Sequence, residues 1–159
     1  MIRQSSRVQR TIKSEVEVRG IGFVTGADIC ARFCPAPASS GVVFVRKDLS
    51  SKVCIPAHIG QVTQVERRTT LGDAPSLVTL TEHALAALAG LRIDNCRVEL
   101  DGPELPGMDG SALAFTEALI SAGIQNQEAT RSVWQVTESA TFTENGTTIS
   151  LHPSRKPGL

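Results

Sequence analysis

Apolar residues recur at helical spacing in two stretches of this sequence, and both stretches are set among runs that alternate like strands. In the first, Leu80, Ala84, Leu85 and Leu88 form a stripe, and Gly90 is a natural C-terminal stop. Thr79 and Glu82, three residues apart, read as a capping box at its start. In the second, Ala112, Phe115, Leu119 and Ala122 follow Asp109-Gly110-Ser111, and Gly123 closes the pattern. Elsewhere the period is two. Ile12, Ser14, Val16 and Val18 alternate with Lys13, Glu15, Glu17 and Arg19. Further strand patterns cover 28–34, 42–45, 53–55, 61–68, 96–100, 132–136 and 147–151, with Glu144-Asn145-Gly146 as a hairpin turn. The order is strands, helix, strand, helix, strands. It predicts an α+β fold: a single domain with a mostly antiparallel or mixed sheet and two helices packed on one face. The expected limits are a flexible tail at 1–8, a domain at 9–153, and a linker or cut end at 154–159.

A chain of 159 residues can bury a core. Lys+Arg and Asp+Glu both number 16, and nucleic-acid binding needs a concentrated basic face. Arg3, Arg7, Arg10 and Lys13 are spread among Ser and Gln and read as a solvated tail. No apolar signal segment and no run of roughly 18 apolar residues is present, so a cytoplasmic protein without a transmembrane segment is expected. Cys30, Cys34, Cys54 and Cys96 form no Cys-x-x-Cys pair and read as buried free thiols in a reducing compartment.

Gly20-Ile21-Gly22-Phe23-Val24-Thr25-Gly26 holds three glycines but lacks the G-x-G-x-x-G spacing, and no helix pattern follows it. A hairpin-like turn is expected there. The histidines are His58, His83 and His152. His83 follows Glu82 in the first turn of a helix. Neutral imidazole binds zinc, and a neighbouring carboxylate that is not a ligand can take a proton from an activated water. The pair alone does not demand a metal, because a helix N-terminus favours glutamate anyway. The H-E-x-x-H signature also fails, with Ala87 in place of the second histidine. The stretch 103–111, rich in proline and glycine, reads as a rigid turn into a capped helix.

Taken together, these segments resemble one family. Thr79 to Leu91, continuing Ile93-Asp94-Asn95, resembles the T-V-E-H-L-x-A-A-L-A-G-L-G-I-D-N segment of UDP-3-O-acyl-N-acetylglucosamine deacetylases. Glu104-Leu105-Pro106 with Met108-Asp109-Gly110-Ser111-Ala112 resembles their E-I-P-I-M-D-G-S-A. Gln9-Arg10-Thr11-Ile12 resembles Q-R-T-L, and Cys34-Pro35-Ala36-Pro37-Ala38 with Ser40-Gly41-Val42 resembles R-P-A-P-x-x-T-G-I. Thr69-Thr70-Leu71 is similar to another family segment. The order and spacing agree from about Gln9 to Pro153.

The resemblance implies the N-terminal half of a two-domain zinc hydrolase of lipid A synthesis, with the active site between the halves. It implies Glu82 as the base on zinc-bound water and His83 as one of three protein ligands to zinc, while substrate-binding residues stay unassigned. The family's second histidine and aspartate lie on an H-x-x-x-D helix, and no such motif occurs here: His58 is followed four residues on by Val62, and His152 by Lys156. The chain alone is therefore expected to be inactive, and to self-associate or pair with the missing C-terminal domain. Val24 stands where the family's glycine turn often carries histidine. The alternative reading is a non-catalytic, stand-alone α+β module that binds a partner.

Overall fold

The computed structural model describes residues 2–154, so 155–159 of the expected linker lie outside the described residues. The strands are β1 (Ile2–Ile12), β2 (Val16–Ile21), β3 (Asp28–Pro35), β4 (Val42–Arg46), β5 (Val53–Pro56), β6 (Val62–Gln64), β7 (Thr70–Leu71), β8 (Cys96–Leu100), β9 (Ile124–Gln135), β10 (Ala140–Glu144) and β11 (Thr147–Leu151). The helices are α1 (Glu82–Gly90) and α2 (Leu113–Ala122). Two compact units result, residues 9–129 and residues 2–8 with 130–154. Strands β1 and β9 pair with each other and contribute to both units.

The larger unit is built on a five-stranded sheet of order β2-β3-β8-β4-β5. All neighbours are antiparallel except β4 and β8, which run parallel. Registers Val18↔Ala31, Ala31↔Leu100 and Phe44↔Val98 put these buried apolar residues on one face. The other face carries Glu17, Arg32, Arg97 and Glu99, as a period of two requires. Ala84, Ala87 and Leu88 of α1 and Phe115, Leu119 and Ala122 of α2 join that apolar face in one core. Phe115 meets Phe33 edge-on with ring centroids 6.1 Å apart, the arrangement aromatic quadrupoles favour. The α+β expectation, two helices over one face of a mixed sheet, therefore holds.

In the smaller unit β10 and β11 form a hairpin with Phe142 opposite Ile149. Asn145 and Gly146 both take positive φ, 47° and 76°, which is why the Asn-Gly pair closes a two-residue turn here. The hydroxyls of Thr141 and Ser150, and of Thr143 and Thr148, meet across it at 3.0 Å.

Several local expectations are corrected. Residues 2–8, read as a flexible tail, are strand. The strand expected at 132–136 starts at Ile124, directly after the Gly123 stop. Helix α1 begins at Glu82 and not at Thr79. The capping box does not form: the Thr79 amide donates to Pro103 O at 2.9 Å, and its hydroxyl accepts from Thr70 Oγ1 at 3.0 Å. Leu80, expected in the helical stripe, precedes the helix with φ of 59° and is still buried. Helix α2 begins at Leu113 rather than at Asp109. The thiols are free as expected, but burial is not uniform: Cys34 and Cys96 are buried, Cys30 is intermediate and Cys54 exposed.

Candidate functional site

Glu82 and His83 open α1, and the segment just before the helix fixes the glutamate. Glu82 Oε2 accepts the Thr69 amide at 2.9 Å. Thr81 ties the same point from the other side, its amide donating to Thr69 O at 3.3 Å and its hydroxyl at 3.2 Å. The second Glu82 oxygen, Oε1, lies 3.9 Å from His83 Nε2, and the two side chains are 34% and 27% exposed. Glu82 is thus held, and both groups are still reachable. A carboxylate at a helix N-terminus also sits where the free amides favour negative charge.

The turn at 108–111 lies near His83. Hydrogen bonds from the Ser111 hydroxyl and amide hold the Asp109 carboxyl below the usual carboxylate range. Two residues beside the site occupy the left-handed region without being glycine: Leu80 at φ 59° and Met108 at φ 49°. Such conformations cost on the order of 1–3 kcal/mol and cluster where surrounding structure fixes a functional group.

One residue was missed. Glu104 belongs to a stretch read as capping only, yet it is fully buried. Its carboxylate accepts from the Val24 amide at 2.9 Å, the Thr25 amide at 2.7 Å and the Thr25 hydroxyl at 2.5 Å. The glycine turn between β2 and β3, closed as a hairpin by Gly22 N to Ala27 O at 2.8 Å, is docked on it. A cavity of about 200 Å³ lies against the turn, lined by Val24, Thr25, Arg68, Thr70, Thr79 and Pro103 among others. The signal in the sequence was a glutamate between Pro103 and Leu105, with glycines elsewhere that could let a backbone close on it.

Three of the segments that carry the family resemblance do structural work. Asn95 Oδ1 accepts the Gly41 amide at 2.9 Å, and Asn95 Nδ2 donates to Gln9 Oε1 at 2.9 Å and Gln127 Oε1 at 2.7 Å. Asp94 Oδ2 accepts the Arg10 amide, and Thr11 Oγ1 accepts that of Ala36. The Gln9-Arg10-Thr11, Pro35–Gly41 and Asp94-Asn95 stretches thereby meet in one polar network. It follows the C-terminal end of α1, whereas Glu82 and His83 sit at the N-terminal end.

The other histidines are engaged elsewhere. His58 Nδ1 accepts the Gly60 amide at 3.0 Å in a short turn, and His152 Nδ1 meets Ser139 Oγ at 3.0 Å. Among the described residues no group of three His, Cys, Asp or Glu side chains is arranged to hold a metal. A catalytic zinc takes three protein ligands and an open position. His83 fits one of those roles, and the described residues do not make a full set. No helix among the described residues is long and apolar enough to cross a membrane.

Comparison with known proteins matches this arrangement to one family. Residues 9–159 match the family described as LpxC: UDP-3-O-acyl N-acetylglycosamine deacetylase. The chain is 42% identical over 154 residues to the UDP-3-O-acyl-N-acetylglucosamine deacetylase of Myxococcus xanthus, covering 97% of this chain and 49% of that protein. It is 41% identical over 137 residues to the enzyme of the same name from Bdellovibrio bacteriovorus, covering 86% and 45%. It is 47% identical over 134 residues to the bifunctional enzyme LpxC/FabZ of Chlorobaculum tepidum, covering 84% and 29%. The chain thus spans half or less of the length of these relatives. A fold of two helices on a mixed sheet, and a match over residues 9–159, place the chain in the UDP-3-O-acyl N-acetylglycosamine deacetylase family.

Proposed function

We propose that this chain is the half of a cytoplasmic, zinc-dependent deacetylase that supplies Glu82 as proton acceptor and His83 as one zinc ligand. The substrate is UDP-3-O-acyl-N-acetylglucosamine, whose acetyl amide is hydrolysed in lipid A synthesis. The observation that supports it is the Glu82–His83 pair, anchored through Thr69 and exposed at a helix start. Zinc, when bound, would supply positive charge that acidifies water. Glu82 Oε1, free of the Thr69 bond, is the oxygen available to take a proton. The Thr69 amide keeps the carboxylate from swinging away, and His83 Nε2 is beside it. Because His83 is one ligand of three, the reading gives the chain no turnover by itself. It needs a second half, which the relatives carry as the rest of their length.

The test grafts this chain in place of the aligned half of the Myxococcus xanthus relative and measures deacetylation of the UDP-linked acyl sugar with added zinc. Turnover by the graft, loss of it in Glu82→Ala and His83→Ala, and none by the 159-residue chain alone are expected. Robust turnover by the chain alone, or an active graft unaffected by both substitutions, overturns the reading. The same reading expects the isolated chain to associate with itself or with a second half. A clean monomer in sedimentation at high concentration, with no binding to that half, contradicts it.

A further inference from the structure

We infer that Glu104 is a positioning residue for the Glu82–His83 site, acting through the turn at 22–26; the inference rests on the functional reading above. The turn has little apolar burial of its own, since Phe23 is 60% and Val24 53% exposed. Its place is set by the Glu104 carboxylate, which takes the Val24 and Thr25 amides and the Thr25 hydroxyl. Gly22 is shaped to this contact, because a methyl group there would overlap Glu104 Oε1. Gly107 completes the seat, since a methyl there would overlap the Phe23 ring.

The backbone of the Glu104 segment is tied in the opposite direction to the lead-in of α1. Thr79 donates to Pro103 O at 2.9 Å and accepts from the Leu105 amide at 3.1 Å. Thr79 is three residues before Glu82, and its hydroxyl accepts from that of Thr70, the neighbour of the Thr69 that holds Glu82. Glu104 therefore links two walls of one cavity: Val24 and Thr25 from the turn, Thr70 and Thr79 from the lead-in. A buried carboxylate with three donors is costly to rebuild in another geometry. It fixes the width of that cavity, whose Thr70 and Thr79 wall adjoins in sequence the Thr69 anchor of Glu82, and it does not touch Glu82 or His83.

The test uses three variants. Glu104→Ala removes the acceptor. Glu104→Gln offers one oxygen and turns an amide NH₂ toward the remaining donors. Gly22→Ala leaves the glutamate in place and displaces it sterically. In the 159-residue chain, amide hydrogen exchange at Val24 and Thr25 should rise by about tenfold or more in Glu104→Ala and Gly22→Ala, with the β3 and β8 amides still protected. Unchanged exchange overturns the inference. In the grafted enzyme, KM should rise by about tenfold with kcat kept within about threefold, and Glu104→Gln should fall between wild type and Glu104→Ala. If exchange rises but KM does not, in a graft that turns over, Glu104 only stabilises the turn and the positioning role is wrong. If the wild-type graft shows no turnover, the functional reading fails and the positioning role falls with it, while the exchange data still decide the latch.

Discussion

The Thr69 backbone amide donates to Glu82 Oε2 at 2.9 Å, so a residue outside the helix holds the carboxylate that opens it. Two substitutions separate the two jobs of that carboxylate. Glu82→Gln keeps an oxygen for the Thr69 amide and removes the proton acceptor. Glu82→Ala removes both. In the grafted enzyme each should lower kcat by about a hundredfold or more. Only Glu82→Ala should also lose stability, by about 1 kcal/mol, the net worth of an ordinary hydrogen bond. Near wild-type turnover by Glu82→Gln rules out its role as the base.

Arg46 and Asp48 predict an acid-sensitive strut. The Arg46 side chain, 4% exposed, donates to both Asp48 oxygens at 2.8 and 2.6 Å and to Leu77 O at 2.6 Å. The arginine beside it holds the Asp48 carboxyl below its ordinary range. The unfolded chain therefore binds this proton more readily than the folded one. The pair's stabilisation is present above the ordinary carboxylate pKa of about 4 and is lost as pH falls through the lowered folded value. Thermal melts of wild type and Asp48→Asn should differ at neutral pH and converge as pH drops below about 4. A gap that persists at low pH contradicts this. Arg46→Ala, which strands Leu77 O and the carboxylate, should cost about 3 kcal/mol.

Periodicity made the sheet and both helices legible, because one-sided burial forces period two on 16–21 and 96–100 and helical spacing on 84–88 and 115–122. The start of α1 was not legible. Thr79 has the chemistry of a cap, but its amide and hydroxyl are taken by Pro103 and Thr70, partners 24 and nine residues away in the chain. Local rules cannot see such partners. Glu104 was missed for the same reason, since its donors lie about 80 residues upstream. Glu82 and His83 stood out only because they are adjacent at a helix start, and the resemblance supplied their roles. The strand at 2–8 was hidden by its polar composition, which reads as a tail until β9 is there to pair with it.

The cysteines should separate by accessibility. Burial pushes the Cys96 thiol up to about 12, and it is fully buried. Burial also raises Cys34 and Cys30, whereas Cys54 is exposed. The thiolate is the reactive form. Iodoacetamide on the native chain near pH 8, followed by peptide mass spectrometry, should modify Cys54 first, Cys30 more slowly, and Cys34 and Cys96 only after unfolding. Early modification of Cys96 in folded protein would show that the β3–β8 pairing opens on its own.

Asn95 tests whether a family-like segment serves the chemistry or the fold. Its side chain is 1% exposed and makes three hydrogen bonds, to Gly41, Gln9 and Gln127. Asn95→Ala leaves the Gly41 amide without its acceptor and breaks the bridge between the start of the larger unit and Gln127. The expected loss is about 2–4 kcal/mol, because several buried polar groups are deprived together. Glu82 and Gly90 mark the two ends of α1, a separation of about 12 Å at 1.5 Å per residue. The Thr69 bond to Glu82 does not involve the network. In the grafted enzyme at a temperature where Asn95→Ala is folded, kcat and KM should therefore stay within about twofold of wild type. A large fall in kcat at full folding, read by circular dichroism on the same sample, would instead place Asn95 in the coupling between the two ends of the helix.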